Sequence, residues 1–122
     1  MKPPKTIVLV EDDEGIRETM AALLEDEGFV VAQAANGQEG LAQLRAAADP
    51  CLVLLDLWMP VMNGWQMLEQ LRADETLRGV PVVVISAAGE LPPPVGAAAF
   101  LKKPIRLEVL LETVDARRLR SA

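Results

Sequence analysis

Asp56 closes an apolar run, Cys51 to Leu55, and is followed by Leu57-Trp58-Met59-Pro60-Val61-Met62-Asn63-Gly64. Continuous hydrophobicity without alternation reads as a strand covered on both faces. A carboxylate in mid-core would cost several kcal/mol unless paired or metal-bound, which places Asp56 at the carboxyl edge of the sheet, facing a crevice. Three more strand-sized segments end in reactive side chains: Thr6 to Val10 runs into Glu11 and Asp12, Val82 to Ile85 ends in Ser86, and Ala99 to Lys102 reaches Lys103 before Pro104. In a parallel sheet these ends share one edge, so residues distant in sequence make one site. Carboxylates held close repel each other, and the usual remedy is a hard cation taking oxygen ligands, here Mg²⁺ with several waters retained and a backbone carbonyl as a further ligand. A lysine and a hydroxyl beside such a cation suit a three-oxygen anion at Asp56, which implies a phosphoryl group. Taken singly, each feature has an ordinary reading as a helix cap, a turn or a solvated lysine. Their convergence on one sheet edge gives the chemical reading its weight.

The elements that must position these groups follow from pattern. Ile16, Met20, Leu23 and Leu24 form one helical stripe, and Gly28 stops it. Phe29 to Ala34 reads as a strand of weaker signal. Asn36 with Glu39 opens a helix over 37–48, its stripe carried by Leu41 and Leu44, and Asp49-Pro50 breaks it. Asn63 or Gly64 opens the next helix, with Trp65, Leu68 and Leu71 inward and Gly79 as its stop. Residues 87–95 contain three consecutive prolines, leaving room for no more than about one helical turn. The last helix, over 106–118, is expected to bury Leu107, Leu110, Leu111 and Val114. Strand and helix alternate, so the fold class is α/β: a doubly wound parallel sheet with right-handed crossovers.

Composition narrows the function. The 122 residues fit one domain, 1–122, and a net charge of −6 disfavours direct contact with nucleic acid. With no histidine, Ser-His and Cys-His catalysis drop out, and Cys51 among apolar neighbours reads as an inert core thiol. The apolar runs are strand-sized and Met1-Lys2-Pro3-Pro4 has no secretory character, so the expectation is a cytoplasmic protein without membrane insertion. The basic cluster Arg117, Arg118 and Arg120 is read as complementing the negative end of the last helix.

Val10-Glu11-Asp12, the block from Asp56 through Met59-Pro60 to Gly64, Ile85-Ser86-Ala87 and Phe100-Leu101-Lys102-Lys103-Pro104 together make the chain resemble the receiver domain of two-component response regulators, of the stand-alone type. The resemblance implies a flavodoxin-like strand order 2-1-3-4-5 and phosphorylation of Asp56 by a histidine kinase or histidine phosphotransfer protein. It implies Mg²⁺ on Asp12 and Asp56, with Glu11 acting through water and the Trp58 carbonyl completing the protein ligands. Ser86 and Lys103 would hold the phosphoryl oxygens, Phe100 would be the aromatic switch, and Lys103–Pro104 would be cis. Catalysis would be limited to the chain's own phosphorylation and dephosphorylation, with output through a downstream protein target. One departure stands out: receivers place a full fourth helix between strands four and five, and here the Pro-rich loop replaces it. That puts the partner face at residues 88–95. Two other readings compete. A Mg²⁺-dependent aspartyl phosphohydrolase would want a second acid two residues after its nucleophile, where Trp58 stands; a phosphate-independent interaction module with the receiver fold is suggested only by the missing helix. A flavin carrier fits less well, since the acidic loop after the first strand would repel the flavin phosphate.

Overall fold

The computed structural model describes residues 5–57, 59, 61–86 and 96–118. Five strands, β1 (Thr6–Val10), β2 (Val30–Ala34), β3 (Pro50–Asp56), β4 (Val82–Ser86) and β5 (Ala99–Lys102), pair in parallel in the order β2-β1-β3-β4-β5. Four helices are described: α1 (Glu14–Asp26), α2 (Gly37–Ala46), α3 (Gly64–Ala73) and α4 (Leu107–Arg117). The expected α/β sheet and its order are therefore both present. Residues 87–95, where the sequence predicts the Pro-rich loop, lie outside the described residues.

Side chains alternate across the strands and build two cores. Val8, Val10, Val53, Leu55, Val82 and Val84 meet α2 and α3 on one face through Leu41, Leu44, Met67, Leu68 and Leu71. Ile7, Leu9, Leu54, Val83 and Ile85 meet α1 and α4 on the other through Met20, Ala21, Leu24, Leu110 and Val114. Burial on both faces explains why these strands read as unbroken apolar runs. Phe100 packs against the α2/α3 side and is half-buried.

Caps set where the helices begin. The Asp13 carboxylate accepts the Ile16 N–H at 2.9 Å, Asn36 accepts from Glu39, and Asn63 with Gln66 forms a reciprocal capping box. Three expectations need correction. Helix α3 ends at Ala73, where the Asp74 N–H bonds the Leu71 carbonyl, well before Gly79; a turn over 74–80 instead buries Leu77 and Val80. Helix α2 stops at Ala46, two residues early, as Ala47 turns extended with its N–H on the Gln43 carbonyl. Leu107 and Ile16, expected to face inward, are each 41% exposed, because both border a cleft that the helices leave open. Arg117 in the last turn of α4 and Arg118 at its C-cap stand where the expected complement of the helix end requires, and the Arg118 guanidinium also lies 5.5 Å from the Phe29 ring centre and reaches Asp115 at 3.3 Å.

Candidate functional site

Register brings the chemistry together. Val10 stands beside Leu55, Asp56 beside Ile85 and Ser86 beside Lys102, so the ends of β1, β3, β4 and β5 lie along one edge. The chain after each end is tied to its neighbour: the Glu11 N–H donates to the Ala34 carbonyl at 3.0 Å, and the Lys103 N–H donates to the Ser86 carbonyl at 2.9 Å. Glu11, Asp56 and Ser86 are the buried polar side chains among the described residues, while Asp12 is exposed.

One carboxylate oxygen from each of Glu11, Asp12 and Asp56 lies within 4.8 Å of the others. Asp13, next in the acidic run, is occupied as the α1 cap and stays outside this cluster. Lys103 Nζ donates to Glu11 Oε1 at 3.0 Å and to Asp56 Oδ2 at 3.3 Å. Burial, reinforced by the contact with Asp56 and only partly offset by Lys103, pushes the Glu11 carboxyl up to about 8. Burial works against the charge on Lys103, but the Glu11 hydrogen bond and the nearby carboxylates outweigh it, and its pKa is raised. The site thus gathers more negative charge than one lysine neutralises. An oxygen-liganded divalent cation fits that donor set. The Lys103–Pro104 peptide is cis. Trp58, whose carbonyl the resemblance assigns to the metal, lies outside the described residues.

The loop leaving Asp56 is pinned by close backbone approach. The Gly64 N–H bonds the Leu57 carbonyl at 2.9 Å, and a Cβ on Gly64 would sit 2.7 Å from both the Asp56 carbonyl oxygen and Leu57 Cα. Farther along, the Gly37 N–H holds the Met62 carbonyl at 2.9 Å. Val61 between these ties has φ 66°, a left-handed conformation costing a β-branched residue about 1–2 kcal/mol. Gly64→Ala should force the backbone after Asp56 to shift. We expect a loss of about 1–3 kcal/mol in urea unfolding together with weaker divalent-cation binding. Wild-type values for both would show that the loop yields without effect on the site.

A contact that sequence reasoning missed lies on α1: Arg17 Nη1 donates to the Glu11 carbonyl at 2.8 Å. Nothing in the spacing marks it, since an arginine on an amphipathic helix is ordinarily solvated. Between α1 and the turn after β5, a cleft of about 870 Å³ is lined mainly by apolar groups, among them Ile16, Met20, Leu23, Ile105, Leu107 and Leu110, and it borders Lys103. No described helix is long and apolar enough to cross a membrane.

Comparison with known proteins agrees with this geometry. The chain is 34% identical to protein PilH of Pseudomonas aeruginosa, over 90% of this chain and 94% of that one. It is 37% identical to the response regulator Rre1 of Synechocystis and 33% identical to RpaA, a DNA-binding regulator of the same organism, but spans only 56% and 47% of their lengths. Among solved structures, chemotaxis protein CheY4 of Vibrio cholerae superposes with a TM-score of 0.83 at 28% identity, covering 93% of this chain and 98% of that one. The response regulator TrrA of Thermotoga maritima, solved with Mg²⁺ and beryllofluoride, superposes with a TM-score of 0.82 at 25% identity, covering 92% and 97%. Residues 7–115 match the response regulator receiver domain, and with this fold and this acidic edge the chain belongs to that family.

Proposed function

We propose that Asp56 is the phosphoacceptor of this receiver and that Glu11, Asp12, Asp56 and the Trp58 carbonyl hold Mg²⁺, Glu11 through water. The observation that carries the reading is the carboxylate trio within 4.8 Å, bridged by Lys103 Nζ at Glu11 and Asp56. A carboxylate oxygen of Asp56 attacks phosphorus, the new O–P bond forms as the donor's P–N bond breaks, and the leaving imidazole nitrogen keeps its electron pair. With acetyl phosphate, acetate leaves instead. Lys103 and the Ser86 hydroxyl donate to the phosphoryl oxygens, so that charge developing there meets fixed donors. When bound, Mg²⁺ supplies charge neutralisation at those same oxygens. Water later attacks phosphorus and returns free Asp56 and inorganic phosphate, so the chain catalyses only its own phosphorylation and dephosphorylation. The bound state of TrrA supports the choice of Mg²⁺ and of a phosphoryl-shaped ligand.

These 122 residues hold no histidine, so the phosphohistidine is supplied from outside them, by a histidine kinase or histidine phosphotransfer protein. Its docking surface must border Asp56. The cleft between α1 and the turn after β5 borders Lys103, whose Nζ lies 3.3 Å from Asp56, and it explains why Ile16 and Leu107 stay exposed. Output follows when Ser86 closes on the phosphoryl group and Phe100 moves with it towards a downstream protein target.

Mg²⁺ titration tests the site. Trp65 lies in the first turn of the helix that follows the Asp56 loop, so binding should perturb tryptophan fluorescence with the weak affinity of a hydrated hard-ion site. Asp12→Ala should weaken the response at least about tenfold. A response that Asp12→Ala leaves unchanged would remove Asp12 from the site.

A further inference from the structure

The peptide joining Glu11 to Asp12 leaves the sheet at the end of β1, and both neighbours are acids of the proposed cation site. Its plane contains the Glu11 carbonyl and the Cα atoms of both residues, so the direction of that carbonyl sets how both side chains leave the backbone. The Glu11 N–H is anchored on Ala34 at 3.0 Å, which fixes the peptide before it. The carbonyl is anchored by Arg17 Nη1 at 2.8 Å, a short charge-assisted bond reaching back across the first turn of α1. Asp12, Asp13 and Glu14 all lie close by in sequence, yet among the described residues the Arg17 guanidinium makes no ion pair with any of them. The arginine is committed to a backbone carbonyl, and that carbonyl belongs to the plane from which two cation ligands project.

We propose that Arg17 is a positioning residue for the divalent-cation site, holding the Glu11–Asp12 peptide so that both carboxylates converge with Asp56. The proposal rests on the assignment of that site to Glu11, Asp12 and Asp56. It separates cleanly from an electrostatic role, because the two have opposite signs. A positive charge near the site repels Mg²⁺ through space, so removing it without any positional effect would tighten binding. Loss of an anchor loosens it, and losing an outer partner of a metal ligand typically costs about 10- to 100-fold in affinity.

The experiment is Mg²⁺ calorimetry on the full chain carrying Arg17→Ala, Arg17→Gln or Arg17→Lys, with urea unfolding of each in chelator. Arg17→Ala and Arg17→Gln should weaken Mg²⁺ about tenfold, the low end of that range, while the metal-free unfolding midpoint moves little. Arg17→Lys keeps the charge but replaces the planar fork with a mobile point donor, so it should fall between them and wild type. If Arg17→Ala is poorly folded, the Gln and Lys variants carry the comparison. Wild-type or tighter Mg²⁺ binding in the folded variants, while Asp12→Ala still abolishes the wild-type signal, overturns the positioning role and leaves the site intact. No Mg²⁺ binding by wild type, or binding indifferent to Asp12→Ala, overturns the site and the positioning role together.

Discussion

Lys103→Met should tighten Mg²⁺ and slow phosphorylation at the same time. Its ammonium lies 3.0 Å from Glu11 and 3.3 Å from Asp56, with the side chain 21% exposed, so it is the counter-charge that these carboxylates hold without metal. A unit charge at such a distance interacts by about 5 kcal/mol at an effective dielectric constant near 20, and an incoming cation must compete with it. Methionine keeps the length and packing of the side chain while deleting the charge, so Mg²⁺ affinity should rise about tenfold. In the proposed reaction the same ammonium donates to the phosphoryl oxygens as charge builds on them. Removing one such donor costs about 10²-fold or more in rate. Calorimetry gives the affinity, and an intact-mass time course with acetyl phosphate at saturating Mg²⁺ gives the rate. Weaker Mg²⁺ binding with an unchanged rate would mean that Lys103 only supports the fold.

Asp56→Asn should abolish phosphoryl uptake, because an amide of the same shape cannot form the acyl phosphate. The other two acids do not replace it. Asp12 is exposed and outside the Lys103 hydrogen bonds, whereas Glu11 is buried with its carboxylate engaged by Lys103 at 3.0 Å. The substitution also removes a cation ligand, so Mg²⁺ affinity should fall by about tenfold or more. Intact mass after incubation with acetyl phosphate and Mg²⁺ checks this. A residual gain of one phosphoryl group in Asp56→Asn would move the acceptor elsewhere.

How much of this was visible in the chain depends on where the information lies. The strands were legible because burial on both faces leaves runs such as Leu52 to Leu55 without a polar residue, and the edge was legible because each run stops at a group that a core does not tolerate. That logic placed Glu11, Asp56, Ser86 and Lys103 together although Glu11 and Lys103 are 92 positions apart. It could not say which acids Lys103 would bridge, nor that burial would raise Glu11, since both depend on side-chain approach within the fold. Helical periodicity marks the stripe of Leu107, Leu110 and Val114, but periodicity records amphipathicity and not whether a neighbour covers it, and Leu107 lies open at the cleft. Gly79 suggests a helix stop by residue type alone, whereas the stop is made by the Asp74 N–H on the Leu71 carbonyl. The Arg17 contact is not legible in the sequence, because a guanidinium bound to a carbonyl leaves no pattern in the residues around it.

The central claim is that one buried carboxylate, at the end of β3, accepts the phosphoryl group. Borohydride reduces an aspartyl phosphate to homoserine, so the chain is incubated with acetyl phosphate and Mg²⁺, reduced, digested and sequenced by mass. Homoserine at position 56, absent when Mg²⁺ is withheld, is the predicted result; conversion at Glu11, Asp12 or Asp13, or at no acid of this edge, would contradict it.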